Sequence, residues 1–282
     1  CRCEECGLIQ LKHTVDLDLM YRQYWYASSL NKSMVRSLQN VVDDIMNKTT
    51  LLADEVVVDI GCNDGTMLDM FPEGVCKVGF DPALNLHKPN CHTFVNDYFT
   101  ADAYWKVTDK KAKVIAAIAM FYDLPSPVTF AKDVASILDD DGIFVIQFTD
   151  LRSMFEACAF DNICNEHLEY YGLEDVVNIL NRADLRVIDV SYNDVNGGSI
   201  RVTAAHRDSP RKSADIVVDT LVEEWKYFKY HDFGYFADRI KDTKTQMEIF
   251  LGIMKEKNNI LHLLGASTKG NTFLQYCGIT NK

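Results

Sequence analysis

No stretch of this 282-residue chain is apolar for long enough to cross a bilayer, and no secretory leader is visible at its start. Positive charge is scarce. Twenty-nine lysines and arginines stand against 41 aspartates and glutamates, a formal net charge of −12. That balance argues against nonspecific binding to nucleic acid, while leaving room for a local basic pocket that takes a phosphorylated small molecule. Internal repeats and low-complexity tracts are also missing. What remains is ordinary for a globular protein, 48% hydrophobic and 25% charged, with length for one large or two medium domains.

Nine cysteines are spread along the chain: Cys1, Cys3, Cys6, Cys62, Cys76, Cys91, Cys158, Cys164 and Cys277. Several fall inside apparent core segments. With no leader, they read as reduced thiols of a cytoplasmic protein, not as a disulfide framework. Cys3-Glu-Glu-Cys6-Gly7 has the form of half a four-thiolate zinc site, to which Cys1 is a candidate third ligand. The chain has no initiator methionine, starts inside this cluster and stops at Lys282 soon after a glycine-rich turn, so a fragment of a longer protein is expected.

The most informative segment is Glu55-Val-Val-Val-Asp-Ile-Gly-Cys-Asn-Asp-Gly-Thr66. Val56 to Ile60 is too short and too β-branched for a helix and reads as a buried parallel strand. Gly61 and Gly65 let the backbone turn sharply and approach a ligand, and Thr66 to Phe71 reads as a helix start with free N–H groups facing the turn. The spacing D-x-G-x-x-x-G is neither the dinucleotide G-x-G-x-x-G nor the phosphate-cradling G-x-x-x-x-G-K-[ST]. One βαβ step later a second strand ends at Asp81, where an acid can accept hydrogen bonds from ribose hydroxyls. Geometry alone leaves an NAD site open here.

Two helical stretches over 15–50 surround Tyr24-Trp25-Tyr26-Ala27-Ser28-Ser29; the second repeats apolar residues at helical spacing from Met34 to Ile45. This aromatic-serine segment is a candidate to close over a bound cofactor, with packing of the helix on the sheet as the alternative; Trp25 itself reads as helix packing. Strands are expected at Cys91–Val95, Lys113–Met120 and Ile143–Phe148, with a helix over Val128–Leu138 stopped by Asp139-Asp-Asp-Gly142. This alternation predicts a parallel sheet with helices on both faces. Arg186–Val190 and Ser199–Ala204 add a late antiparallel pair around Asn196-Gly197-Gly198. Ser213–Asn259 reads as long helix. Ile260–Leu264 then reads as a strand entering another glycine turn, Gly265 to Asn271. The expected domains are 1–14, a partial zinc-binding segment; 15–208, the cofactor domain; and 209–282, a helical linker with the beginning of a second α/β domain.

Asp161-Asn-Ile-Cys164-Asn-Glu166-His167 follows the strand ending at Phe148, which puts it near the carboxyl edge of the sheet. His167 is the side chain best suited to take a proton near neutral pH, with Glu166 to orient or tune it. Cys164 and His167 as metal ligands form a weaker alternative.

Taken together, these segments resemble the C-methyltransferases that act on nucleotide-linked keto-deoxysugars. The matching residues are Cys3-x-x-Cys6-Gly-Leu-Ile-Gln-Leu, Asp59-Ile-Gly-Cys-Asn-Asp-Gly-Thr, Glu166-His167-Leu-Glu-Tyr-Tyr, Asn196-Gly-Gly-Ser-Ile-Arg201 and Gly265-Ala-Ser-Thr-Lys-Gly-Asn271. The resemblance implies a zinc-binding N-terminal part, a class I methyltransferase (Rossmann-like) core that binds S-adenosylmethionine, and a C-terminal α/β domain. It implies His167 as the base that forms an enolate, with Glu166 and Tyr26 assisting. Gly61, Asn63, Gly65, Asp81, Asp97, Met120 and Phe121 would hold the cofactor. Asn196, Ser199, Arg201, Lys269 and Asn271 would hold the sugar nucleotide, and Cys3 and Cys6 the zinc. Three departures stand out: the upstream cysteine pair is absent, Cys164 occupies a position where some members carry tyrosine, and the expected C-terminal domain barely begins. Rival readings are an N- or O-methyltransferase on a related sugar, an NAD-linked sugar-modifying enzyme, and a noncatalytic fragment that binds S-adenosylmethionine. Neither a nucleic acid nor a membrane is expected as partner, and oligomeric state is left open.

Overall fold

The computed structural model describes residues 1–86, 93–265 and 267–280. In chain order the elements are β1 (Ile9–Gln10), α1 (Leu17–Tyr21), α2 (Lys32–Lys48), β2 (Val56–Ile60), α3 (Thr66–Asp69), β3 (Cys76–Phe80), β4 (Thr93–Val95), α4 (Ala101–Trp105), β5 (Ala112–Ile118), α5 (Pro127–Ile137) and β6 (Leu138–Thr149). They continue with α6 (Leu151–Glu156), β7 (Glu169–Tyr170), α7 (Leu173–Asn181), β8 (Leu185–Asn193), β9 (Ser199–His206), α8 (Asp215–Tyr230), α9 (Phe233–Glu256) and α10 (Thr268–Cys277).

Seven strands form one sheet in the order β4-β3-β2-β5-β6-β9-β8. Strands β4 to β6 pair in parallel, and β9 runs antiparallel to both β6 and β8. The strand order changes direction between β2 and β5, so a crevice opens beyond their carboxyl ends.

Alternation along the strands builds a core on each face. Val56, Val58 and Ile60 of β2 pack with Phe130, Ala131 and Val134 of α5 and Val176 of α7. Val57 faces the other way, into Leu38, Val41, Val42 and Ile45 of α2. Burying each of those four α2 side chains stabilises the helix on the sheet by about 1.5–3 kcal/mol. Asn31 starts α2, its side chain accepting the N–H groups of Ser33 and Met34.

A second, two-stranded sheet pairs β1 with β7, Ile9 opposite Tyr170 and Gln10 opposite Glu169. It ties the N-terminal segment to the chain just after His167. Phe155, Phe160, Tyr170 and Phe236 form a third core, in which the rings of Phe155 and Phe236 stack at 4.2 Å.

Four expectations need revision. Trp25, read as helix packing, is 93% exposed. Asp139–Asp141, read as a loop, lie within β6, which shifts register against β5 between Ala112 and Val114. Gly142 permits that approach, since a Cβ there would sit 3.0 Å from the Ala112 carbonyl oxygen. The long helix over 213–259 is two helices, broken where Asp232 caps α9 by accepting the Tyr235 N–H. Ile260–Leu264 forms no strand: no described strand runs beside it, and Ile260 and Leu264 are 82% and 101% exposed. Cys91 and His92 of the expected fourth strand lie outside the described residues, while Thr93–Val95 pairs with β3. Among the described residues, no helix is long and apolar enough to cross a membrane.

Candidate active site

The turn after β2 is held from both sides. Gly61 and Cys62 donate their backbone N–H groups to the Phe80 carbonyl of β3, at 2.8 and 3.0 Å. Gly61 has φ +75°, and a Cβ on it would meet Met120 Cγ at 3.1 Å, so glycine is required for both the conformation and the close approach. Gly65, with φ +76°, caps α3.

Beyond this turn lies a cavity of about 610 Å³ at the carboxyl ends of β2, β3 and β5. Its wall includes Tyr26, Gly61, Asn63, Asp81, Asp97, Met120 and Asn196 among the residues expected from sequence. Gly65, Phe121, Glu166, His167, Ser199, Arg201, Lys269 and Asn271 do not line it. Phe121 is instead fully buried, in ring contact with Phe130, Phe148 and Tyr171.

Asp81 ends β3 with one carboxylate oxygen accepting the Asn63 N–H at 2.8 Å and the other the Ala83 N–H at 2.9 Å. Burial raises its pKa against those two donors. Each oxygen keeps a lone pair for a ribose hydroxyl. The wall carries Asp59, Asp81, Asp97, Asp123 and Asp133, and no lysine, arginine or histidine among the described residues. Such a lining suits a ligand of positive charge and opposes a pyrophosphate. S-adenosylmethionine is a sulfonium cation with ribose hydroxyls, so these residues fit it and fit NAD poorly.

A strap covers the glycine turn. The Asn63 side-chain amide donates to the Tyr26 carbonyl at 2.9 Å and its oxygen accepts the Ser28 N–H at 3.0 Å. The Ser29 N–H reaches Asp64 at 2.9 Å. Asn63 thus fixes the aromatic-serine segment with its side chain and Asp81 with its backbone N–H. Its φ of +53° is a conformation asparagine tolerates.

His167 sits behind Tyr122, a cavity residue, with the two rings 4.4 Å apart. Its Nδ1 lies 2.9 Å from the Asn162 carbonyl oxygen. A carbonyl only accepts, so Nδ1 carries the proton and Nε2 keeps its lone pair. Burial lowers the His167 pKa to about 4, and the nearby Lys269 charge acts in the same direction. The ring is therefore neutral at physiological pH. Cys164, Glu166 and His167 bring ligand-type atoms within 4.8 Å of one another, so the Glu166 carboxylate does face the imidazole. The Asn162 contact occupies Nδ1 and burial raises the Cys164 thiol pKa, which favours a base and its partner over metal ligation.

The residues expected to hold a sugar nucleotide do not converge. Arg201 is buried between the sheet and α2, donating to Gln147 Oε1 (3.0 Å) and Asn40 Oδ1 (2.9 Å) and pairing with Asp44 (3.3 Å). Ser199 donates to the Val195 carbonyl, and Asn271 is exposed. Lys269 opens α10 and donates to the Asn196 carbonyl at 2.9 Å; Phe273 and Tyr276 of that helix pack on Phe160, ahead of the base. Lys269 and Asn196 are thus brought together near His167.

Sequence reasoning missed Tyr21, Tyr122 and Asp123, all in the cavity wall, where Tyr24 of the aromatic-serine segment joins them. The rule that located Asp81 at the end of β3 would have located Asp123, just past β5. At the N-terminus, Cys3 and Cys6 share a tight turn in which the Gly7 N–H reaches the Cys3 carbonyl at 3.0 Å. N–H groups of Cys6 and Glu5 lower the Cys3 pKa. Cys1 does not join them as a third ligand, since the one three-residue ligand group among the described residues is that of Cys164, Glu166 and His167.

Comparison with known proteins agrees with this architecture. Residues 32–190, more than half of the chain, match the family described as a methyltransferase domain, and residues 194–282 match the C-methyltransferase C-terminal domain. The C-methyltransferase NovU of Streptomyces niveus is 29% identical over 98% of this chain, which spans 68% of that protein's length. A tRNA U34 carboxymethyltransferase of Aliarcobacter butzleri is 31% identical over 39% of this chain and 39% of its own. In fold, 63% of the chain superposes on 94% of a chain from the complex between the Haloferax volcanii Trm112 methyltransferase activator and a protein assigned as a methyltransferase (TM-score 0.50, 12% identity). The chain has the class I methyltransferase fold and belongs to the S-adenosylmethionine-dependent C-methyltransferases that join a methyltransferase domain to a C-methyltransferase C-terminal domain.

Proposed function

We infer that the protein methylates the carbon beside the ketone of a nucleotide-linked keto-deoxysugar, with His167 as general base. The observation that carries this reading is the His167 ring, buried, neutral and held through Nδ1 so that Nε2 is the free basic atom. A carbon acid offers no nucleophile until a base removes its C–H proton, whereas an N- or O-acceptor already carries a lone pair. S-adenosylmethionine supplies an electrophilic methyl on a sulfonium sulfur.

His167 Nε2 takes the proton from the carbon next to the carbonyl, and the C–H electron pair becomes the C=C bond of the enolate. Glu166, within reach of the ring, offsets the imidazolium charge that forms. Asp81 holds the ribose, and the strap carrying Tyr26 is pinned over the glycine turn by Asn63. Lys269 and Asn196 are the described residues best placed to receive the anionic part of the substrate. The Cys3–Cys6 turn reads as half of a zinc thiolate site, supported by the N–H groups that stabilise the Cys3 thiolate. Two thiolates do not complete a tetrahedral site, and no step of the reaction depends on it.

The test is a panel of nucleoside-diphosphate keto-deoxysugars in deuterated water. Wild type should exchange the α-proton and transfer methyl. His167→Asn should do neither, yet bind S-adenosylmethionine with unchanged affinity. Methyl transfer that survives in His167→Asn would point to a nitrogen or oxygen acceptor.

A further inference from the structure

Among the described residues of the cavity wall, Asp123 alone has a buried side-chain oxygen, Oδ1, with no hydrogen-bond partner. Three of the other four carboxylates there are engaged. Asp81 accepts two N–H groups, Asp97 pairs with Arg22 at 3.0 Å, and Asp133 accepts the Ala101 N–H. Asp59, 3% exposed in β2, is the remaining candidate on the wall: burial and the Asp81 charge push its pKa up to about 8.

The groups that face Asp123 are uncharged or negative. Tyr21 and Tyr24 approach it from the α1 side, and Tyr122 is its chain neighbour. Cys164 and Glu166 face it from the loop before β7, and Glu169, Tyr170 and Tyr171 from β7 and beyond. None is a cation. The Tyr21 hydroxyl favours the ionised form of this acid, but its Oδ1 has no partner and no cation offsets its charge, although it lies on the wall of a cavity built for a cationic ligand.

We propose that Asp123 is the carboxylate that meets the positive charge of S-adenosylmethionine, and that cofactor binding expels a proton from it. Burial, reinforced by Glu166 and Glu169, raises the Asp123 pKa well above the usual range, with the Tyr21 hydroxyl opposing. Without a cation the carboxyl holds its proton. A positive charge beside it lowers the pKa again and the proton leaves to solvent. The bound state then carries fewer protons than the free state, so affinity rises with pH.

The measurement is calorimetric titration of S-adenosylmethionine in phosphate and in Tris, from about pH 6 to about pH 8. The difference in heats counts protons. Wild type is expected to release up to about one proton per cofactor and to bind more tightly at the higher pH. Asp123→Asn should release none at this site, lose the pH dependence and bind at least about tenfold more weakly at the alkaline end. Asp59→Asn should keep the release. The proposal is overturned if wild type releases no proton, if Asp123→Asn retains wild-type affinity and pH dependence, or if Asp59→Asn alone abolishes the release. The proton counts of wild type and Asp59→Asn decide the matter even if Asp123→Asn folds poorly, since release that persists in Asp59→Asn does not come from Asp59.

Discussion

Glu224 of α8 accepts the backbone N–H of Leu173 at 2.7 Å and of Glu174 at 3.0 Å, so a residue beyond the sheet completes the amino end of α7. That end follows directly on the segment bearing His167. Gly172 leaves room for the contact, since a Cβ there would lie 2.8 Å from the Glu224 carboxylate. Burial pushes the Glu224 pKa up to about 7. The folded state then binds more protons than the unfolded chain between the ordinary glutamate value and 7, so this group's contribution to stability falls as pH rises through that window. Glu224→Gln removes the titration. The stability difference between wild type and Glu224→Gln is expected to shift against wild type by up to about 3 kcal/mol from pH 4.5 to pH 7. Urea unfolding at both ends of the window measures it; a pH-independent difference would refute the argument.

Arg201 should matter to the fold and not to the substrate. Its guanidinium is 4% exposed as a residue and joins Gln147 of β6 to Asn40 and Asp44 of α2. Removing it strands those partners in a buried setting. Arg201→Ala is expected to cost about 3 kcal/mol of stability, read as a lower urea midpoint, with cofactor affinity unchanged while the protein stays folded. A folded variant of normal stability with impaired substrate binding would reverse this assignment.

The sheet and its glycine turn were legible because their physics is local. A β-branched run, two glycines and an acid at the next strand end specify β2, its turn and Asp81 without reference to the rest of the chain. Arg201 was misjudged because alternation gives the faces of β9 but not what covers them. Ile200 and Val202 face one core, and Arg201 looks onto α2, a helix contributed from 161 residues earlier in the chain. Ile260–Leu264 has the composition of a strand, but a strand exists only beside another, and composition does not report neighbours. The β1–β7 pair was invisible for the same reason: two residues on each side carry no pattern. His167 was found from its place after a strand; its tautomer depends on Asn162 and became readable only in three dimensions.

Asn63 is expected to act on the cofactor through the strap. Its side chain makes two hydrogen bonds, to Tyr26 and Ser28, while its backbone N–H serves Asp81. Asn63→Gly keeps the left-handed backbone and loses only the side chain. Two lost hydrogen bonds at roughly 1 kcal/mol each correspond to about a tenfold or greater loss of S-adenosylmethionine affinity. Faster proteolysis within 24–31 should accompany it. Unchanged protection of that segment would show that other contacts hold the strap.

Lys269 and His167 give a prediction in which the sign is decisive. Burial is the main cause of the low His167 pKa of about 4, and the Lys269 ammonium adds to it. The base is active when deprotonated, so its acid limb falls near pH 4 and not near the ordinary histidine value of about 6.5. Removing the charge in Lys269→Met should raise the His167 pKa, by a few tenths to about one unit, whereas Lys269→Arg should leave it in place. Ring titration by NMR, with the resonance assigned by its loss in His167→Asn, reads this without any substrate. An unmoved pKa in Lys269→Met would mean that the lysine does not reach the base electrostatically, and would confine its role to the Asn196 carbonyl it already holds.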